Sequence, residues 1–237
     1  MIEMIAFDAD DTLWHNEIHY QEAQEKLTQI LAPWADADTV REQLYAIEMQ
    51  NLALYGYGVK AFLLSMIEAA IQLSKGKIQG KTITEILLLG RVMLDADVIP
   101  LPYVTETLAT LAKTHYLMVI TKGDPLDQNK KIARSGLSDF FAGVEVVHEK
   151  SSTAYQKILE KYRLDISKFL MVGNSLRSDV HPVLKLGGSA VYIPADATWS
   201  HENLDGFDTS QKGFYELEHL GQLPGLVAGL KNDTWHN

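Results

Sequence analysis

Short apolar runs and helical spacing divide the chain into three stretches. Met4, Ile5, Ala6 and Phe7 are apolar in unbroken sequence, the signature of a strand buried on both faces of a parallel sheet. From His15 to Leu94 the apolar spacing is helical, with no convincing strand. Glu17 to Leu31 is amphipathic and ends near Pro33. Asp38 is placed to cap a helix running through Val40, Leu44 and Ile47 towards Leu54. After a break at Tyr55-Gly56-Tyr57-Gly58, a strongly apolar helix is predicted from Val59 to Leu73. Thr84 is placed to cap one through Ile86, Leu87, Leu88 and Val92.

After Pro100 and Pro102 the pattern alternates. Helices are predicted over Tyr103 to Thr114, Pro125 to Gly136, Ser152 to Tyr162 and Val180 to Leu186. Between them lie apolar runs at Tyr116 to Ile120, Val144 to Val147, Phe169 to Val172 and Ala190 to Ile193. Ala195 to Gly213 is polar and carries no predicted element. Tyr215 to Leu217 reads as an edge strand before a helix over Leu223 to Leu230. Repeated strand-then-helix order predicts an α/β fold, a doubly wound parallel sheet of Rossmann-like kind. The helices after the first strand are too many for a crossover between neighbouring strands, so they form an inserted all-α domain. The expected division is 1–14 with 96–237 as the α/β core, and 15–95 as the insert.

Composition narrows the partners. The 237-residue chain carries a formal net charge of −10, which argues against a nucleic-acid polymer, since binding one needs clustered Lys and Arg. A small anion remains open, because a metal and a few local cations can invert the field within a cleft. Cysteine is absent, so disulfides and thiolate metal sites are ruled out. No run reaches the roughly 18 apolar residues of a membrane span, and no basic region leads into an early apolar run as in a signal peptide. The expectation is a soluble cytoplasmic protein of unspecified oligomeric state.

The candidate chemistry lies at the ends of the predicted strands, where open α/β sheets bind ligands. Asp8-Ala9-Asp10-Asp11-Thr12 follows the first strand. It is either a polar turn in which Asp10 or Asp11 caps the next helix, or a nucleophilic Asp8 with Asp10 as its general acid/base. Thr121, Lys122 and Gly123 follow the second strand, where a hydroxyl and close backbone amides suit a phosphate. A helix cap by Thr121 or Asp124 is the alternative. Lys150 stands at a predicted helix start, against the helix dipole, which pointing into an acidic cleft would relieve. Gly173-Asn174-Ser175-Leu176-Arg177-Ser178-Asp179 follows another strand, and Asp179 is alternatively a helix cap.

Together, in this order, these stretches resemble the four motifs of the haloacid dehalogenase-like superfamily, mostly Mg²⁺-dependent phosphohydrolases. The resemblance implies Asp8 as nucleophile, Asp10 as acid/base, Thr121 and Lys150 as phosphoryl-binding groups, and Lys122 and Gly123 beside them. It implies Mg²⁺ held by Asp8, Asp10 through its backbone carbonyl, Asn174 and Asp179. Asn174 departs from the acid often found there and removes one negative charge. The helical insert resembles a cap that closes over small-molecule substrates, with Trp14 and His15 in a flap that contacts substrate. Dehalogenases lack an acid at the position of Asp10, so the expected reaction is phosphoryl transfer from a small phosphorylated metabolite through an aspartyl-phosphate. The alternatives are a phosphomutase of the β-phosphoglucomutase type and a catalytically weak phosphate-binding protein. The sequence gives no physical account of the Trp199, His201 and Glu202 cluster. The four-residue spacing of His15 and His19 suits Zn²⁺ but lacks a third ligand.

Overall fold

The structure, a computed structural model, describes residues 1–197 and 199–232. In chain order its main elements are β1 (Met4–Phe7), α1 (Glu17–Leu31), α2 (Ala37–Tyr55), α3 (Val59–Leu73), α4 (Gly80–Asp95) and α5 (Val104–Leu111). Then come β2 (Tyr116–Lys122), α6 (Pro125–Arg134), β3 (Gly143–Val147), α7 (Ser152–Tyr162) and β4 (Phe169–Gly173). The chain continues through α8 (His181–Leu184), β5 (Ser189–Tyr192), β6 (Phe214–Glu216) and α9 (Leu223–Asn232).

The strands form one parallel sheet in the order β3-β2-β1-β4-β5-β6. Its two faces follow from strand alternation. Ile5 and Phe7 join Leu117, Val119, Leu170 and Val172 in a core closed by Val104 and Leu108 of α5 and Leu223 and Val227 of α9. Met4 and Ala6 join Met118, Ile120, Phe169 and Met171 on the other face, under Tyr155 and Ile158 of α7. Helices on both faces explain why β1 is apolar at every position and wholly buried. This is the doubly wound α/β fold that the alternation predicts. Chain direction diverges on either side of β1, so ligands of such a sheet gather at the carboxyl end of this strand.

The chain separates into two compact units. The α/β unit comprises Met1–Glu17, Val98–Lys122 and the chain from Asn129 onward. The helical unit comprises Ile18–Asp97 and Gly123–Gln128. Leu27, Leu31, Leu44, Ile47, Phe62, Met66 and Ile86 are buried in its own core. The short stretch at Gly123 belongs to the helical unit because Lys60 Nζ donates to Asp124 Oδ2 at 2.9 Å. Gly58 also leaves only 3.2 Å for a Cβ against the Asp124 backbone nitrogen.

Several helix starts differ from the sequence expectation. Asp36, not Asp38, caps α2, accepting the Thr39 N–H at 2.9 Å. Thr84 lies inside α4 and donates back to the Gly80 carbonyl at 2.9 Å. Val180 ends a wide turn over Leu176–Val180 instead of opening the next helix. The polar segment before β6 carries a short helical turn at Ser200–Glu202.

Candidate active site

The end of β1 is the centre of the site. Parallel pairing of Phe7 with Val172 sets Asp8 level with Gly173, and the Asp8 N–H donates to the Val172 carbonyl at 2.9 Å. Asp8 is buried. Lys150 emerges just before Ser151, the cap of α7, and its side chain is 1 % exposed. Its ammonium bridges two acids, donating to Asp8 Oδ1 and, at 2.6 Å, to Asp179 Oδ1.

Asp179 is held from a wide turn. The N–H groups of Asp179 and Val180 both donate to the Ser175 carbonyl, at 2.9 and 3.2 Å. The Ser175 N–H donates to Asp179 Oδ2 at 3.0 Å. Glycine is required at 173, because a Cβ there would collide with the Asp179 carboxylate. Ser175, which accepts the Ser178 N–H at 2.9 Å, is the cap of this turn, so Asp179 is left to face Lys150. Asn174 is buried between these groups in sequence, and its Oδ1 accepts from Thr12 Oγ1 at 3.1 Å.

Asp10 is placed differently from Asp8. Its carboxylate accepts from Trp14 Nε1 at 2.8 Å and from Lys131 Nζ at 3.0 and 3.2 Å. Lys131 also donates to Asn16 Oδ1 at 2.7 Å. Trp14 is 1 % exposed and belongs to the core, so it meets the site through its ring N–H and offers no free face to a substrate. His15 is exposed and lies before α1 begins, so it does not share a helix with His19. Asp11 is the cap: it accepts the N–H groups of Asn16 and Glu17 at 2.8 to 3.1 Å.

Thr121 is buried two positions beyond Val119, the partner of Phe7. Its hydroxyl donates to the Lys122 carbonyl at 3.2 Å. The cap of α6 is Asp124, which accepts the Asp127 N–H at 3.0 Å, so Thr121 is not used for that purpose. Gly123 adopts φ 125°, a backbone conformation that favours glycine, and belongs to the helical unit. Lys122 turns to Glu202, to which it donates at 2.5 Å, and to Ser178 Oγ at 2.9 Å.

Electrostatics separate these acids. Burial pushes Asp8 up to about 7; the Lys150 ammonium opposes the rise, and Asp179 adds to it. Asp179 is raised for the same first reason, against the same lysine. Burial alone would lower Lys150, but the two carboxylates outweigh it and hold the ammonium charged. Burial also raises Asp11 to about 6, against its backbone bonds to Asn16 and Glu17. One lysine against two buried carboxylates leaves the pocket short of positive charge.

Reading the sequence alone gives no role to Lys131, Thr12, Ser175 or Ser178, and marks Glu202 only as part of an unexplained cluster with Trp199 and His201. The Ser175-x-x-Ser178 spacing is the one available signal, as a turn cap; Lys131 reads as half of a solvated Lys130-Lys131 pair.

A family model described as haloacid dehalogenase-like hydrolase matches residues 2–182. The crystal structure of a haloacid dehalogenase-like family hydrolase from Xanthomonas campestris is similar at 37 % identity and TM-score 0.88, over 98 % of this chain and 93 % of that one. A 2-haloacid dehalogenase from Pseudomonas syringae shares the fold at 24 % identity and TM-score 0.61, over 97 % and 100 % of the two chains. Among curated proteins, a glyceraldehyde 3-phosphate phosphatase from Pyrococcus furiosus is 32 % identical over 98 residues. That match spans about two fifths of either protein, 39 % of this chain and 41 % of the relative. With a family model covering most of its length and a relative of the same family matching almost end to end, this chain belongs to the haloacid dehalogenase-like hydrolases.

Proposed function

We propose that the protein is a Mg²⁺-dependent phosphohydrolase of a small phosphorylated metabolite, with Asp8 as nucleophile. The observation that carries this reading is the buried Asp8 carboxylate, held with Asp179 on the Lys150 ammonium at the carboxyl end of the central strand.

Among the described residues no group of three His, Cys, Asp or Glu side chains is disposed to hold a metal ion. The donor set here needs only two acids. Asp8 and Asp179, with the Asn174 amide oxygen and the Asp10 backbone carbonyl, make a set of hard oxygens that fits Mg²⁺. Bound there, Mg²⁺ supplies charge neutralisation for the phosphoryl oxygens. Asp8 attacks phosphorus in line, forming a P–O bond as the bond to the leaving alcohol breaks. The Asp10 carboxyl gives that alcohol its proton, then takes one from the water that cleaves the aspartyl-phosphate. Lys150 and Thr121 hold the equatorial oxygens as their charge develops. Lys131 and the Trp14 N–H fix the Asp10 side chain. The inserted helices, expected over 15–95, serve as the cap that selects the substrate.

The partial match to a glyceraldehyde 3-phosphate phosphatase makes triose phosphates the first substrates to try. Phosphate release from a panel of phosphorylated metabolites, with Mg²⁺ and with excess chelator, tests the reading. Metal-dependent release is expected from at least one member. No release from any, or release indifferent to chelator, overturns it.

A further inference from the structure

The segment that the sequence left without an element carries an acid against the site. Glu202 ends a short helical turn, and its side chain is 14 % exposed. Its Oε2 accepts from Ser175 Oγ at 2.5 Å and from Ser178 Oγ at 2.6 Å. Its Oε1 accepts from Lys122 Nζ at 2.5 Å. Lys122 also donates to Ser178 Oγ, and Ser178 immediately precedes Asp179. An ammonium that is 12 % exposed therefore sits one residue from the acid pair, neutralised by a carboxylate from a different part of the chain.

The charges decide what this arrangement does. With both acids ionised, as cation binding requires, Asp8, Asp179 and Lys150 sum to −1, two carboxylates against one ammonium. Lys122 alone would bring the neighbourhood to zero and remove its attraction for a cation. Glu202 returns the sum to −1. Glu149 also faces Lys122, but at 4.0 Å and with its side chain 49 % exposed, so water screens that pair. We propose that Glu202 is a positioning residue that neutralises and pins Lys122 beside Asp179, preserving the net negative charge on which cation binding by Asp8 and Asp179 depends. It acts through Lys122 and the two serines and touches neither substrate nor metal. This inference rests on the Mg²⁺-dependent reading above.

A tether for the Ser200–Glu202 turn would use the same hydrogen bonds, and the test must separate the two roles. Mg²⁺ is titrated calorimetrically into the substrate-free protein, for the wild type and for Glu202→Gln, Lys122→Met, Glu149→Gln and the double variant Glu202→Gln/Lys122→Met. One uncompensated charge in a partly screened pocket predicts roughly five- to tenfold weaker Mg²⁺ binding by Glu202→Gln. Lys122→Met is expected to tighten binding several-fold. The double variant should return to within about twofold of the wild type, because the two charges are removed together. Glu149→Gln should change it by no more than about twofold.

Wild-type affinity in Glu202→Gln, or a double variant no better than Glu202→Gln, overturns the inference and leaves the phosphohydrolase reading standing. Absence of Mg²⁺ binding by the wild type overturns both. Should Glu202→Gln not fold, Lys122→Met decides alone: unchanged or weaker Mg²⁺ binding in that variant counts against the inference.

Discussion

Asp8 and Asp10 leave the same strand end two residues apart, yet the fold gives them opposite surroundings. Asp8 is buried and shares one lysine with a second acid, and burial raises it to about 7. Asp10 is only partly buried and has a lysine of its own, with an indole N–H and Asn16 completing the cluster. The first arrangement is a carboxylate short of positive charge, which suits a nucleophile that works beside a bound cation. The second is a carboxyl whose partners fix its direction, which suits a group that must aim a proton. The two acids are thereby given different surroundings by neighbours supplied from α6, from Lys150 just before the cap of α7 and from the turn after β4, and not by anything in the Asp-x-Asp spacing itself.

Removing one acid at a time is expected to have the largest effects. Asp8→Asn is expected to lower turnover by at least ~10³-fold while leaving the circular dichroism spectrum unchanged; a loss of less than about tenfold contradicts the nucleophile assignment. Asp10→Asn is expected to lose about 10²–10⁴-fold with an alkyl phosphate. With p-nitrophenyl phosphate, whose leaving group needs no proton, that variant should instead give a burst of nitrophenol equal to the enzyme present. Absence of that burst, with nitrophenol formation slowed from the first turnover, would place Asp10 outside proton transfer to the leaving group.

The two lysines should differ in stability. Lys150→Met leaves two buried carboxylates without their partner and is expected to cost about 3–5 kcal/mol in chemical denaturation. Lys131→Met faces a partly buried acid and should cost only about 1–2 kcal/mol, with its main effect on kcat and little on KM. Equal costs would erase the distinction between the clusters.

The smallest effect concerns acid stability. Burial alone would raise Glu202, but Lys122 and the serine hydroxyls pull it from 4.5 to about 2. A folded-state value below the unfolded one contributes stability that is complete above about 4.5 and is lost as pH falls towards about 2. The contribution is at most ~3 kcal/mol. Urea midpoints across that window should fall less steeply in Glu202→Gln than in the wild type.

Particular residues show how much of this was legible in the sequence. The strand-then-helix order fixes the doubly wound sheet, because β1, β2 and β4 are apolar at nearly every position. Asp8, Lys150 and Asp179 stand out as polar groups close behind apolar runs, and the fold brings those three together. Lys131 was not legible, since a lysine in a surface-type helix looks the same whether it meets solvent or Asp10. Glu202 is noticeable beside Trp199 and His201, but a polar loop with no periodicity hides its partners. The cap of α2 turned on one residue: Asp36 and Asp38 both precede Thr39, and only the end of the preceding turn decides which oxygen reaches its N–H. Local patterns announce strand ends well and partners from distant segments poorly.

The covalent state of Asp8 during turnover distinguishes a nucleophile from a carboxylate that only holds a cation. Wild type and Asp10→Asn would be mixed with p-nitrophenyl phosphate and Mg²⁺, quenched in acid within milliseconds, and the peptide carrying Asp8 examined by mass spectrometry. We expect one phosphoryl group on Asp8, accumulating to a larger fraction in Asp10→Asn, whose water attack is slowed. Turnover with no label on that peptide, or with the label on another residue, contradicts a nucleophilic Asp8.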